Sequence, residues 1–191
     1  PFSLHQPGQH NMENALAATC VAAQMGISLK AISIALKNYK GIYRRHQVIG
    51  EKNGIILIDD YAHNPVKCAA AIRACHALGN KVIAWFQPHG YGPTRFLKNE
   101  FVYEIGQALR DKDEIWMSEI FYAGGSAEKN ISSQDLINEL KAMNKNAYFV
   151  ANRNDFVNVA RVHFEEKTIV LLMGARDPSL EDFAKNVFDA L

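Results

Sequence analysis

The sequence lacks the features that would point to a membrane or to nucleic acid. No run of apolar residues approaches the ~18 that a membrane span needs. The first residues, PFSLHQPGQHN, are neither basic nor apolar, as a secretion signal would be. Lys and Arg number 21 against 20 Asp and Glu, which leaves a net charge of +1 and no basic stripe to follow a phosphate backbone. We therefore expect a cytoplasmic protein with no nucleic-acid or membrane partner.

Cysteine is also scarce, and its placement argues against disulfides. The three cysteines, Cys20, Cys68 and Cys75, form no CxxC pair, and each falls in an apolar helical pattern. None lies beside a turn or helix start that would activate a thiolate. We expect three reduced, buried thiols and no metal site.

Two phosphate-binding signatures are missing. The sequence contains no GxxxxGK[ST] motif, and no GxGxxG follows a predicted strand. A nucleotide bound here would therefore not have its phosphates held by a glycine-rich loop of this chain. The chain could still contribute arginine, a ribose-binding carboxylate and histidines to phosphates that another segment holds.

Two regions can be distinguished along the 191 residues. The first forty residues predict two helices, over 14–25 and 29–38, with Ser28 as the cap of the second and Gly26 and Gly41 as terminators. From residue 43 the hydrophobic pattern changes. We expect residues 1–42 to be the helical end of a preceding domain and residues 43–191 to form one α/β domain.

Within residues 43–191, short apolar runs alternate with helical patterns. The predicted strands are residues 54–61, 81–88, 114–120, 146–151 and 167–174, and the predicted helices are residues 65–78, 94–109, 133–143, 155–164 and 179–191. Strand alternating with helix indicates parallel strands joined by crossovers, and continuously apolar strands indicate that both sheet faces are covered. With residues 45–51 as an antiparallel edge, the pattern predicts a Rossmann-like, open, mostly parallel sheet of about six strands with helices on both faces.

Polar and glycine residues follow four of the predicted strands. In an open α/β sheet, ligands bind beyond the carboxyl ends of the strands. The residues at these tips are Asp59, Asp60, Tyr61 and His63 after one strand, His89 to Arg95 after the next, Gly124 and Gly125 after the third, and Gly174 to Asp177 after the last.

Each tip residue also has an ordinary structural explanation. Asp59 and Asp60 could cap the following helix, His63 and His89 could be turn residues, and an arginine pair at a strand start is more often solvated. The convergence of these residues at one edge favours a binding site.

Three motifs in series resemble the Mur ligases of bacterial cell-wall synthesis. PGQHNMENALAA (residues 7–18) resembles G-x-H-N-x-x-N-A-x-A-A, which closes the family's central ATP-binding domain. IDDYAHNP (58–65) and FQPHGYGPTR (86–95) resemble the D-D-Y-x-H-H-P and F-Q-P-H-R-Y-x-R-T-R of members that add L-alanine to UDP-N-acetylmuramate. GIYRRHQVIG (41–50) resembles the crossing into the third domain, and MGARDPS (173–179) stands where those members have T-M-G-A-G. The resemblance covers almost the whole chain.

The resemblance implies a nucleotide site. Asn11 and Asn14, about one turn apart on one helix, would lie near the adenine. Arg45, with Arg44 beside it, would reach the γ-phosphate and stabilise the transferring charge. Asp60 rather than Asp59 would accept hydrogen bonds from the ribose hydroxyls.

It also implies a substrate site and a mechanism. Tyr61, His63 and His89 would face the amino-acid and muramyl end, with His63 as a catalytic group, and Arg95 would bind a carboxylate. A substrate carboxylate would attack the γ-phosphate of ATP to give an acyl phosphate, which the amine of the amino acid would then attack. Mg²⁺ would bind mainly to phosphates and to residues outside this chain, and the isolated chain would be inactive.

Departures from the motifs leave alternatives open. Gly90 and Pro93 stand where the L-alanine-adding members have arginines, His46 replaces an aromatic residue, and Asn64 replaces a second histidine. The alternatives are a ligase that recycles a tripeptide onto UDP-N-acetylmuramate, another paralogue with a different amino acceptor, and a non-catalytic nucleotide-binding module. An unrelated transferase is disfavoured, because no nucleophile–base pair is evident.

Overall fold

The structure, a computed structural model, describes residues 2–4 and 8–191, so Pro7 of the first motif lies outside the described residues. Six strands form one sheet in the order β1-β2-β6-β3-β4-β5. They are β1 (Gln47–Lys52), β2 (Ile55–Asp60), β3 (Lys81–Gln87), β4 (Glu114–Met117), β5 (Asn146–Phe149) and β6 (Thr168–Gly174). β1 runs antiparallel to β2, and all other neighbouring strands are parallel. The predicted sheet and its antiparallel edge are confirmed.

Helices cover both faces of the sheet. They are α3 (Pro65–Cys75), α4 (Tyr91–Phe96), α5 (Lys98–Ala108), α6 (Ser133–Ala142), α7 (Phe156–Ala160) and α8 (Leu180–Ala190). Successive side chains of a strand point to opposite faces, so Val82 and Phe86 of β3 pack with α3, α5 and α6. Ile83 and Trp85 pack with α7 and α8. The central strands are therefore buried on both sides, as their continuous apolar sequence predicted.

Two helices precede the sheet, α1 (Gln9–Gln24) and α2 (Leu29–Asn38). Ser28 caps α2 by accepting a hydrogen bond from the backbone N–H of Ala31. Cys68 and Cys75 are buried as expected, but the prediction of a buried Cys20 was wrong, because Cys20 is exposed on α1. α1 packs on α2 and contributes no residue to the core clusters of the sheet. Among its described side chains only Thr19 is buried. In the described part of the chain, no helix is long and apolar enough to cross a membrane.

The helix predicted over residues 94–109 is two helices. α4 begins at Tyr91, before Pro93, because the first turn of a helix needs no partner for its backbone N–H groups and so accepts proline. The chain then changes direction at Leu97, whose φ of −98° and ψ of 12° are not helical, before α5 begins. The helix predicted over 155–164 is the short α7 flanked by single 3₁₀ turns.

Candidate functional site

The predicted site is at the carboxyl ends of three adjacent strands. β6 lies between β2 and β3. Asp60 of β2 pairs with Met173 of β6, and Gln87 of β3 pairs with Gly174 of β6. The three chains therefore leave the sheet side by side, which brings the segments after residues 60, 87 and 174 to one edge.

Arg44 ties the segment before β1 to this edge. Its Nε donates to Oδ2 of Asp59 at 2.7 Å and its Nη2 donates to Oδ1 of Asp59 at 3.2 Å. Nη2 also donates to the carbonyl oxygen of Gly174 at 3.0 Å. Both side chains of the ion pair are buried, so the ordinary explanation of a solvated arginine does not apply to Arg44, and its predicted ATP-binding role stays a prediction. The fork of a guanidinium matches a carboxylate, and Asp59 is therefore the structural partner of Arg44.

Asp60 fixes the two flanking turns through backbone hydrogen bonds. Its Oδ2 accepts from the backbone N–H of His46 and its Oδ1 accepts from that of Ala62, both at 2.7 Å. Burial raises the pKa of Asp60, while these two hydrogen bonds and the charge of Arg45 act in the opposite direction. Burial also raises the pKa of Asp59 against the opposing influence of Arg44. Each Asp60 oxygen still has a second lone pair available to a ligand hydroxyl.

Aromatic rings and arginines form one continuous group, the ring cluster, which comprises Arg44, Arg45, Tyr61, His63 and His89. The guanidinium carbons of Arg44 and Arg45 lie 5.4 and 5.2 Å from the centroid of the Tyr61 ring. The Tyr61 and His63 rings are 5.5 Å apart, and the His63 and His89 rings are 5.7 Å apart. Residues predicted separately from two motifs and from the segment before β1 therefore share one face.

The two histidines of the ring cluster differ in their hydrogen bonds. Nδ1 of His63 lies 2.9 Å from the carbonyl oxygen of Tyr61. A carbonyl can only accept, so Nδ1 carries the proton and Nε2 is left as an acceptor in the neutral ring. Nδ1 of His89 is buried without a hydrogen-bond partner among the described residues. Burial lowers the pKa of His89, and the nearby His63 and Arg176 lower it further.

Arg95 lies in a different group of side chains. It is exposed at the end of α4, and its Nη1 donates to Oδ1 of Asn130 at 2.6 Å, with Oε2 of Glu128 at 3.5 Å. The rings of Tyr91, in α4, and Tyr122 pack edge to face with their centroids 5.2 Å apart. The predicted carboxylate partner therefore contacts the loop after β4 and is not part of the ring cluster.

Asn11 and Asn14, predicted to lie near the adenine, are both on α1, as the motif implied. Asn14 is exposed and Asn11 is half-buried. α1 packs against α2, and the ring cluster includes neither asparagine. Their predicted role stays a prediction.

A cleft of about 440 Å³ opens beside the Tyr61 ring. Its walls consist of Ile42, Tyr43, Arg44, Arg45, Tyr61, Asp177, Pro178 and Glu181. A second hollow, of about 640 Å³, lies between the end of α2 and β1, and Ile42 and Arg45 line both. Arg45 is thus an exposed cation at the junction of two open spaces. Within residues 2–4 and 8–191, no group of three His, Cys, Asp or Glu side chains is arranged to hold a metal ion.

Sequence reasoning assigned no role to two arginines at this edge. Arg153, after β5, donates to Oδ2 of Asp177 at 2.5 Å and to Oγ of Ser179 at 2.6 Å. Its role had no local signal, because the partners are 24 and 26 residues away. Arg176 is exposed and has a φ of +65°. Its signal was present: an arginine in MGARDPS stands where the resembling T-M-G-A-G ends in glycine.

The chain matches known proteins along most of its length. A family model described as Mur ligase, glutamate ligase domain, matches residues 44–176. The UDP-N-acetylmuramate–L-alanine ligases of Carboxydothermus hydrogenoformans and Gloeobacter violaceus are 35% and 33% identical to it over 90% and 91% of the chain. The chain spans only 36% and 37% of their lengths.

Solved structures agree in fold. The UDP-N-acetylmuramate–alanine ligase of Thermotoga maritima matches with a TM-score of 0.76 at 25% identity, covering 98% of this chain and 39% of that one. A murein peptide ligase from Psychrobacter arcticus, 19% identical, matches with a TM-score of 0.60 over 99% of this chain and 38% of its own.

Proposed function

The chain belongs to the Mur ligase family, and on that premise we propose that it is the carboxy-terminal part of an ATP-dependent ligase. The ligase joins an amino acid, L-alanine first among the candidates, to UDP-N-acetylmuramate in peptidoglycan synthesis, a cytoplasmic reaction. The observation that carries this proposal is the ring cluster, where Arg45, Tyr61, His63 and His89 share one face at the strand tips. The names of the relatives support the substrates.

The proposed chemistry has two steps. A carboxylate oxygen of the muramyl substrate attacks the γ-phosphorus of ATP and ADP leaves, which gives an acyl phosphate. The amine of the amino acid then attacks the acyl carbon, phosphate leaves, and the amine loses a proton. To Arg45, which is exposed and lines the cleft, we assign the stabilisation of charge on the transferring phosphoryl group. Nε2 of His63 is an acceptor in the neutral ring and can take the proton of the amine.

The other cluster residues hold this arrangement in place. Arg44 adds positive charge next to Arg45 for ATP, and its buried pairing with Asp59 fixes the turn that presents Arg45. Asp60 can accept a ribose hydroxyl through a remaining lone pair, whereas both oxygens of Asp59 face Arg44. Tyr61 and His89 form the wall next to His63, where the amino-acid and muramyl groups bind.

The remaining assignments depend on a longer polypeptide. We propose that residues 1–42 are the end of a central ATP-binding domain, with Asn11 and Asn14 near the adenine. Large apolar side chains are exposed on α1, at Met12, Leu16 and Val21, and just after it, at Met25, which is what a helix separated from its packing partners would display. Mg²⁺ would be held by phosphates and by residues of that central domain.

A different amino acceptor is the second candidate. The loop that follows β3 has Gly90, with a φ of +75°, and Pro93 where the resembling motif has two cations. Arg95, which could bind a carboxylate, already contacts Asn130 and Glu128. A substrate other than L-alanine, including a peptide, is therefore the specific alternative to test.

The test is phosphate release by the full-length protein with ATP, UDP-N-acetylmuramate and a panel of amino acids and peptides. We expect release only when nucleotide sugar and amine are both present, with L-alanine as the preferred amine, and a loss of at least about 100-fold in kcat for Arg45→Ala. A preference for a peptide would select the second candidate. ATP binding with no release under any combination would favour a non-catalytic nucleotide-binding module and contradict the proposal.

A further inference from the structure

Arg176 occupies a backbone conformation that its side chain disfavours. Its φ of +65° lies in the left-handed region, which glycine enters freely and which a residue with a Cβ enters at a cost. Such conformations persist where the surroundings impose them, and they concentrate at ligand sites.

The next residue imposes this conformation. Asp177 is buried, and its backbone N–H donates to the carbonyl oxygen of Ala175 at 2.8 Å. Its Oδ2 accepts from Arg153, and its Oδ1 accepts from the backbone N–H of Ser179 at 2.9 Å. Asp177 therefore fixes the turn around Arg176 and the direction in which the Arg176 side chain leaves the backbone.

The Arg176 turn follows the strand that lies between the two strands leading to the histidines of the ring cluster, and the charge of Arg176 acts on His89. Gly174 is the last residue of β6 and pairs with Gln87 of β3, so Arg176 and His89 each lie two residues beyond a paired position. β2, which leads to His63, borders β6 on its other side. The His63 and His89 rings, 5.7 Å apart, thus come from the strands on either side of the one that carries Arg176.

The guanidinium of Arg176 has no hydrogen bond or ion pair among the residues that the structure describes, and the nearby carboxylates are already committed. Asp59 binds Arg44, Asp60 binds two backbone N–H groups, and Asp177 binds Arg153. The loop after β3 provides no cation between Pro88 and Thr94. The guanidinium of Arg176, whose charge acts on His89, and the buried Nδ1 of His89 therefore both lack a partner among the described residues.

We propose that Arg176 and His89, beside His63, form an oxyanion subsite that binds a carboxylate or a phosphoryl oxygen of a substrate. Arg45 is a separate cation, on the Tyr61 side of the cluster. The inference extends the proposed function by adding Arg176 as a binding residue, and it rests on that function for the identity of the substrate. A guanidinium suits either anion, because its fork matches both.

Arg176→Gly is the informative variant, and Lys167→Gly is its matched control. Lys167 is also an exposed cation with a positive φ, 62°, at the opposite end of β6. Its backbone hydrogen bonds, to Gly54 and Asn80, survive the change to glycine. Both variants remove one charge and relieve a left-handed residue, so both are expected to fold. Arg176→Lys tests whether a positive charge without the forked geometry of a guanidinium is enough to bind the anion.

Kinetics of the full-length protein identify the anion. We expect Arg176→Gly to raise one KM at least tenfold: that of the amino acid if the subsite binds its carboxylate, or that of ATP or the nucleotide sugar if it binds a phosphoryl group. Lys167→Gly should change none of them, and Arg176→Lys should recover part of the loss. Unchanged KM values in Arg176→Gly would overturn the inference and leave the proposed ligase activity standing.

A binding experiment tests the subsite even if ligase activity fails. Acetate and inorganic phosphate are titrated into this chain at constant ionic strength while the imidazole signals of His63 and His89 are followed by NMR. We expect saturable shifts with at least one anion in the unmodified chain and in Lys167→Gly, and none in Arg176→Gly. Equal responses in all three would refute the subsite.

Discussion

At the scale of single residues, two neighbouring arginines have opposite environments. The Arg44 guanidinium is buried against Asp59, whereas Arg45 is exposed and contacts the Tyr61 ring. Arg44→Ala would leave a buried carboxylate unpaired, so we expect a loss of about 3–5 kcal/mol in unfolding free energy. Arg45→Ala should lose less than about 1 kcal/mol, the value of an exposed cation–π contact.

Urea unfolding of both variants measures this difference. From the proposed function we expect the reverse order for activity: Arg45→Ala should lose more activity than Arg44→Ala, since Arg45 would contact the phosphoryl group while Arg44 holds the turn. Equal stability losses would show that the Arg44–Asp59 pair does not anchor the segment before β1.

The pKa of His89 is a second quantity that belongs to single residues. Burial, His63 and Arg176 all hold it below the ordinary histidine value. Removing the cation in Arg176→Gly favours the protonated ring, so the pKa of His89 should rise, although burial and His63 should still hold it below the ordinary value. An NMR pH titration of the His89 ring measures the change, and Lys167→Gly should leave it unaltered.

The sign of the stability effect follows from the same shift. The folded chain binds a proton at His89 less readily than the unfolded chain, so stability is lost as the pH falls from the ordinary histidine pKa through the lowered one. In Arg176→Gly, the pH range between the ordinary and the lowered pKa of His89, over which this stability is lost, should narrow. A His89 pKa that falls in this variant would contradict the placement of Arg176.

At the scale of elements, the buried carboxylate of Asp113 helps to hold the end of the sheet opposite the site. Oδ1 of Asp113, just before β4, accepts from the backbone N–H of Val82 at 2.9 Å, and Oδ2 accepts from the backbone and side chain of Arg110 at 3.0 and 2.8 Å. Burial acts to raise the pKa of Asp113, but these hydrogen bonds and the charge of Arg110 outweigh it and leave the pKa lowered. The stability that Asp113 provides is therefore present above the unfolded pKa and lost as the pH falls through the folded one.

We expect Asp113→Asn to lower the free energy of unfolding by about 1–3 kcal/mol near pH 7. The amide nitrogen of asparagine is itself a donor, and it would face an N–H group whose hydrogen bond the carboxylate accepts. Chemical denaturation as a function of pH should show a shallower loss of stability in acid for this variant. Asp111→Asn is the control, since Asp111 is exposed and offers Asn146 only its backbone carbonyl. The same pH profile in Asp113→Asn and the unmodified chain would contradict this account.

Elements were predictable where the pattern was long and periodic. β3 and β6 were continuous apolar runs and lie in the middle of the sheet, and Ser28 identified the start of α2. The break at Leu97 had no sequence signal, because it depends on a local backbone angle inside a helical pattern. The burial of Arg44 was also missed, since its partners Asp59 and Gly174 are 15 and 130 residues away.

At the scale of the whole molecule, the sequence predicted which residues share the site better than it predicted what each one contacts. Parallel strands bring their carboxyl ends to one edge, so His63 and His89 were expected together, and their rings are 5.7 Å apart. Strand order was not predicted, and it is strand order that inserts β6, and with it Arg176, between them. The position of Arg95 was likewise not predicted, because it depends on the loop after β4 that Arg95 contacts.

The proposed division of the chain at residue 42 gives a prediction for the whole molecule. Both core clusters of the sheet consist of residues from Ile49 onward, and none comes from α1 or α2. Deleting residues 1–42 should therefore leave the thermal midpoint within about 4 °C, the shift that ~1 kcal/mol causes in a domain of this size. Calorimetry of residues 43–191 beside the unmodified chain measures it. A midpoint lower by 10 °C or more would place α1 and α2 within the same cooperative unit as the sheet, because only buried contacts across residue 42 could supply that much stability.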